Sequence, residues 1–267
     1  MSARSAKLQR LERFRRNVPY ISANALAAVL DEVDREGVPE GHDRHNFALA
    51  RELVANTDTP YGALHQELEL DCIDGSKMPL RIVNPFAILW LAFATCTAFN
   101  GLLTAKMAAN PPTAENPWSL ILYSDEVTPG NVLATQNMRK IQVVYFSFLE
   151  LCAQALARED SWFCVTAKRS KKVKEVKGNM AQVFGAVLKF IFSSAFNLSA
   201  SGIALKCGVV PMKRMFAALR IIVQDGGAHR DTWQFRGDAG TKFCFLCRNL
   251  VASKSRLADP DGGTLLK

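Results

Sequence analysis

The sequence has little of what marks a secreted or a disordered protein. Residues 1–16 carry basic side chains throughout and have no apolar core, so they do not resemble a signal peptide. The seven cysteines are odd in number and scattered, which suits a reducing compartment better than a disulfide framework. Charged residues make up 22% and hydrophobic residues 49%, which argues against general disorder. We therefore expect an intracellular protein, nuclear or cytoplasmic, with a buried core.

Motifs for small-molecule chemistry are also missing. Ser124 lacks the G-x-S-x-G context of a hydrolase nucleophile, and no internal repeat is visible. The sequence implies no small-molecule substrate and indicates no oligomeric state. The net charge of +8 favours an anionic partner, either nucleic acid or a lipid surface, and does not decide between them.

Residues 82–105 form a run without formal charge that is long enough to cross a bilayer. Polar and helix-breaking residues interrupt it, namely Asn84, Pro85, Thr95, Thr97, Asn100 and Gly101. We therefore expect a buried core helix, with a membrane span as the less favoured alternative.

Hydrophobic periodicity predicts the helices and strands of the first part of the chain, and a proline-rich stretch ends that part. Helices are predicted over 22–36, with Ser22 as N-cap, and from about 44 to 56. A hairpin follows, with a strand over 64–73 and a turn at Asp74-Gly75. The proline-rich stretch 110–117 closes this part. It predicts a mainly helical N-terminal region, 1–113, and a second domain, 114–267.

The second domain reads as a mixed α/β structure. Four strands are predicted, followed in the chain by polar turns or helices: 118–124, 140–150, 161–167 and 215–224. A long helix over 179–196 precedes the fourth strand, and a short helix over 228–235 follows it. The order strand, strand, strand, helix, strand, helix predicts a sheet flanked by helices.

Asp125 and Asp225 each follow an apolar predicted strand, where sites of open α/β sheets collect. Two carboxylates brought together there would suit Mg²⁺ or Mn²⁺, because these ions prefer oxygen ligands. The structural alternative is that each aspartate starts a turn or caps a helix. Glu126 is next to Asp125, and either acid could be the ligand.

The sequence motifs around these acids resemble those of Plavaka-type and related eukaryotic transposases of the DDE type. The resemblance covers about residues 59–252 and is strongest over 119–249. It is carried by LILYSDEVTPGN, RKIQVVYFSFLE and VQDGGAHRDTWQFRGDAGTKFCFLC. It implies a ribonuclease-H-like domain, partial in this sequence, that cuts and transfers DNA strands with divalent metal. Asp125 then matches the first catalytic acid and Asp225 the second.

The resemblance also implies a third acid on a helix well downstream. The sequence ends at Lys267, and the nearest candidates lie in or beside turn-like stretches: Asp231, Asp238, Asp259 and Asp261. We therefore expect a truncated or decayed copy with impaired cleavage. The alternative is a non-catalytic nucleic-acid-binding or interaction protein with the same fold.

Cys244 and Cys247 have the C-x-x-C spacing of half a zinc site, which needs two further ligands. No Cys or His follows them, and upstream only His229 and Cys207 are near in sequence. Three interpretations stay open: a zinc half-site completed elsewhere, two ordinary thiols, or a redox pair.

A basic stretch over 168–177 is predicted between a strand and a helix. It could contact DNA phosphates, or it could be a solvated loop. Its candidate DNA-binding residues are Lys168, Arg169, Lys171, Lys172, Lys174 and Lys177.

Overall fold

The computed structural model describes residues 23–38, 46, 48–49, 52–53, 56–128, 139–193, 196–205 and 213–235. The chain divides into two compact units, Met1–Val54 and Ala55–Lys267. In the first unit, helix α1 (Ala23–Glu36) confirms the helix predicted over 22–36. It ends at Gly37, whose φ of 81° favours glycine and whose N–H donates to Val33 O. The predicted helix at 44–56 and its surroundings lie largely outside the described residues.

The second unit begins with short strands, the predicted hairpin and a pair of helices. Strands β1 (Asp58–Thr59) and β2 (Gly62–Ala63) pair, as do β3 (His65–Asp71) and β4 (Lys77–Val83). Helices α2 (Pro85–Thr95) and α3 (Thr97–Ala109) follow.

Two helices therefore replace the single helix expected from the apolar run. Cys96 between them has extended backbone, and the helix axes differ by 105°. Phe86, Leu89 and Leu103 are buried, so the expected core role is confirmed. In the described part of the chain no single helix is long and apolar enough to cross a membrane; only this bent pair meets the criterion jointly.

The remaining elements in chain order are β5 (Trp118–Val127), β6 (Ile141–Phe148), α4 (Ala153–Leu156), β7 (Phe163–Arg169), α5 (Ser170–Val173), α6 (Met180–Ser193), β8 (Ile203–Leu205), β9 (Lys213–Met215), β10 (Ala217–Gln224) and α7 (Gly226–Trp233). Single turns of 3-10 helix flank α4 at Leu149–Leu151 and Glu159–Ser161.

The main sheet has the order β10-β5-β6-β7. β5, β6 and β7 are antiparallel neighbours, whereas β10 lies parallel to β5. The fold is thus mixed α/β with a mixed sheet, as predicted. The helix between the third and fourth long strands is α6, whose Val183, Phe184 and Val187 are buried. A parallel return of this kind needs a crossover, and α6 lies within that crossover.

One hydrophobic core runs through the second unit. It joins residues from the hairpin and α2, such as Leu80 and Phe86, to sheet residues such as Trp118, Phe146 and Phe148. The core therefore contains side chains from both sides of the predicted boundary at 113/114. That boundary remains a prediction.

β5 is longer than the predicted strand over 118–124. Asp125 and Glu126 are within it, paired with Val143 and Gln142 of β6. Asp125 therefore lies inside a strand, not after one, because β6 provides backbone partners up to Val127. Asp225 does follow its strand directly, as predicted.

Candidate functional site

The two aspartates lie at the same end of adjacent strands. In the parallel pair of β10 and β5, Gln224 is opposite Ser124. Asp225 directly follows Gln224, and Asp125 directly follows Ser124. The fold therefore brings together two acids that are far apart in sequence.

Both carboxylate oxygens of Asp125 accept hydrogen bonds. The Tyr123 hydroxyl donates to Oδ2 at 2.6 Å, and the Glu126 backbone N–H donates to Oδ1 at 2.7 Å. The Tyr123 ring stacks on Tyr145 and meets Trp162 edge-on, with centroids 6.2 and 6.1 Å apart. These ring contacts fix the hydroxyl that orients Asp125.

The charges of both acids act on Tyr123. Its pKa is raised to about 12, first by the hydrogen bond to Asp125, then by burial, and then by the charges of Asp125 and Asp225. Tyr123 is thus neutral and a donor at physiological pH. The shift also shows that Asp225 lies within electrostatic reach of this hydroxyl.

Asp225 is the N-cap of α7. Its Oδ1 accepts from the Ala228 N–H at 2.6 Å. The neighbouring Gln224 is held by Thr232 and by the Trp233 indole, which donates at 3.1 Å. The structural alternative for Asp225, helix capping, is therefore confirmed, and it leaves Oδ2 for another partner.

Glu126 lies on the opposite face of β5 from Asp125, because successive strand residues alternate. Gln142 Nε2 contacts it at 3.4 Å, and Lys140 Nζ forms an ion pair with it at 2.6 Å. Burial raises the pKa of Glu126, but the Lys140 hydrogen bond, the nearby Ser170 hydroxyl and the charges of Lys140 and Lys174 outweigh burial and lower it overall.

A cavity of about 340 Å³ opens on the Glu126 face. Seven polar side chains from five separate parts of the chain line it: Glu126, Gln142, Ser170, Lys174, Asn179, Asp225 and Asp231. Asp231 belongs to α7, within the short helix predicted over 228–235. Within the described residues, no group of three or more His, Cys, Asp or Glu side chains could hold a metal ion.

The basic stretch joins β7 to α6 and contains the short helix α5. Its candidate residues are exposed except for the half-buried Lys168. Lys168 Nζ donates to Pro79 O, Lys172 pairs with Glu175 at 2.8 Å, and Lys174 lines the cavity. The cations therefore lie beside the sheet end that carries the acids.

The proposed zinc half-site, Cys244 and Cys247, lies outside the described residues, as do Cys207, Asp238, Asp259 and Asp261. His229 contacts Gln224 Oε1 through Nδ1 at 3.1 Å. The zinc interpretation and its alternatives therefore stay predictions.

Sequence reasoning missed Tyr123, Gln142 and Ser170. Alternation along β5 could have found the first, since positions 123 and 125 share a face. The other two depend on pairing with β6 and on the turn after β7.

Comparisons with models of protein families, with curated proteins and with solved structures gave no match.

Proposed function

We propose that this chain carries a transposase-derived, ribonuclease-H-like domain of the DDE lineage. The observation that carries the proposal is the parallel pairing of β10 with β5, which puts Asp225 beside Asp125 at one sheet end. The strand order agrees with the fold that the sequence resemblance implies. The resemblance itself rests on the sequence motifs.

Asp125 and Asp225 would hold Mg²⁺ or Mn²⁺ in this proposal. Both offer carboxylate oxygens, which suit hard divalent ions, and Asp225 Oδ2 is not used in the cap. A bound metal of this kind would activate water and stabilise the leaving oxygen of a phosphodiester. Tyr123 would keep the Asp125 carboxylate oriented.

Cleavage by this chain is expected to be weak. Intact relatives would place a third acid beside the first two, and the described residues contain no group of three His, Cys, Asp or Glu side chains placed to hold a metal ion. The same observation favours the second candidate function, a nucleic-acid-binding protein without catalysis. Both candidates use the basic stretch to contact phosphates, in a nuclear or cytoplasmic setting.

The test is Mg²⁺-dependent nicking of supercoiled DNA by the full chain. Slow nicking that disappears in Asp125→Ala and persists in Asp74→Ala would support the nuclease proposal. Asp74 is a suitable control because it is exposed in the hairpin turn. No nicking by the wild type, together with salt-sensitive DNA binding, would instead select the non-catalytic function.

A further inference from the structure

Three buried side-chain oxygens among the described residues have no hydrogen bond of normal geometry: Ser124 Oγ, Gln142 Oε1 and Ser170 Oγ. Of these, the Ser170 hydroxyl still interacts with the Glu126 carboxylate. Such atoms are rare, because a buried polar atom left without a partner destabilises the fold. All three lie in one region. Ser124 shares a strand face with Glu126, Gln142 is paired with Glu126, and Ser170 follows β7 directly.

Two of these atoms belong to residues that line the cavity beside Glu126. Gln142 is 9% exposed and Ser170 is 7% exposed, so bulk water does not satisfy them. Gln142 Oε1 can only accept, because it is a carbonyl oxygen. An occupant must therefore present a positive charge or a hydrogen-bond donor to this oxygen.

The acids around the cavity define the occupant further. Glu126, Asp225 and Asp231 contribute carboxylates, and they outnumber the lysines that act on Glu126, which are Lys140 and Lys174. The polar side chains of the described lining accept only through oxygens, and the lining holds no thiolate or imidazole. Oxygen-only sites select hard divalent cations, which also keep several bound waters.

We propose that this cavity binds a divalent cation through Glu126, Asp225, Gln142 and Ser170. The site lies on the face of β5 opposite Asp125. The proposal goes beyond the nuclease function, because Asp125 takes no part in it and DNA cleavage is not required. Asp231, which also lines the cavity, would add negative charge to the site.

Lys140 gives the site a competitor. Its Nζ pairs with Glu126 Oε2 at 2.6 Å, and its side chain is 47% exposed, so it can leave the carboxylate without breaking the fold. A bound cation would displace it. Removing the Lys140 charge should therefore strengthen cation binding, whereas a purely structural ion pair would give no such gain.

The experiment titrates the full chain with Mn²⁺, and free Mn²⁺ is followed by electron paramagnetic resonance. Glu126→Gln removes the ligand charge and Gln142→Met removes the ligand oxygen, and both keep the side-chain size. Each should weaken Mn²⁺ binding by about tenfold or more. Lys140→Met should tighten binding several-fold. The control is Glu175→Gln, a partly exposed acid of the same basic stretch that does not line this cavity, and it should leave the affinity unchanged.

The stability of the metal-free variants shows whether weaker Mn²⁺ binding comes from loss of the site or from misfolding. Gln142→Met removes an unsatisfied oxygen, so its metal-free form should be as stable as wild type or more stable. A folded Gln142→Met chain with wild-type Mn²⁺ affinity would overturn the proposal. So would a wild-type chain that binds no Mn²⁺.

Asp125→Asn distinguishes this site from the proposed nuclease site. Mn²⁺ binding that survives Asp125→Asn but is weakened by Glu126→Gln supports the cavity site, whatever happens to nicking. Binding that is abolished by Asp125→Asn and insensitive to Glu126→Gln rejects the cavity site and leaves the nuclease proposal standing.

Discussion

The Tyr123 hydroxyl lies 2.6 Å from Asp125 Oδ2 and donates a hydrogen bond to it. The two residues are on the same face of β5, so their contact requires no long-range rearrangement. Tyr145 and Trp162 hold the ring from two sides. A half-buried tyrosine thus fixes the orientation of an acid at the end of the sheet.

Replacing Tyr123 with Phe should destabilise the fold by about 1 kcal/mol, because a hydrogen bond to a charged group is removed at a half-buried position. Urea unfolding near neutral pH measures the change. In an Asp125→Asn background the same replacement should cost clearly less. Equal costs in both backgrounds would show that the hydroxyl does not act through Asp125.

Alkaline pH should expose the same interaction. The pKa of Tyr123 rises from 10.0 in the unfolded chain to about 12 in the folded one. Its stabilisation is therefore fully present below about pH 10 and is lost as the pH rises towards 12. Stability curves across this window should fall less steeply for Tyr123→Phe than for wild type. Parallel curves would contradict the assigned hydrogen bond.

Asn84 should be essential for the start of α2. It is 1% exposed, its Oδ1 accepts from Phe86 N and Ala87 N, and its Nδ2 donates to Tyr61 O. Asn84→Ala leaves buried backbone groups unpaired and should cost about 2–3 kcal/mol. Asn110→Ala, at the exposed end of α3, should stay within about 0.5 kcal/mol in the same denaturant titration.

The strands were predictable because the local pattern decides them. β6 is rich in β-branched and aromatic residues, β10 contains Ile221, Ile222 and Val223, and turns or polar residues flank the predicted segments. The bend at Cys96 was not predicted, although Thr95 and Thr97 interrupt the uncharged run on either side of it. It depends on tertiary packing of α2 and α3, and on hydrogen bonds such as Asn100 Nδ2 donating to Phe93 O at 2.8 Å.

The candidate site was predictable only in part. The acids Asp125 and Asp225 were identified from strand ends and from the resemblance, but the extent of β5 depends on pairing with β6. That pairing decides that Asp125 and Glu126 both lie within the strand and hence on opposite faces. The cavity is assembled from strand, turn and helix residues distant in sequence, so no local pattern could indicate it.

The basic stretch should govern DNA affinity through salt-dependent binding to phosphates. Replacing Lys171, Lys172 and Lys177 with Ala should reduce the slope of log affinity against log salt by up to about 3, one for each phosphate that is no longer neutralised. The matched control removes three exposed charges elsewhere, Lys189, Arg214 and Arg220. Fluorescence anisotropy with one duplex at several salt concentrations measures both. Equal slopes for the two triple variants would rule out the basic stretch as the DNA-binding surface.

Two substitutions of Asp225 should separate the effect of its helix capping from the effect of its negative charge. Asparagine is as good an N-cap as aspartate, so Asp225→Asn should keep the Ala228 N–H satisfied and change stability by less than about 0.5 kcal/mol. Asp225→Ala should cost about 1 kcal/mol, because α7 loses its cap. Cation binding should respond differently, since both variants remove a carboxylate that lines the cavity and that follows β10 at the sheet end where Asp125 also lies. Mn²⁺ affinity should therefore fall in both variants, whereas thermal unfolding should distinguish them. If Asp225→Asn binds Mn²⁺ like wild type, Asp225 is only a helix cap, and both the nuclease site and the cavity site lose the acid they share.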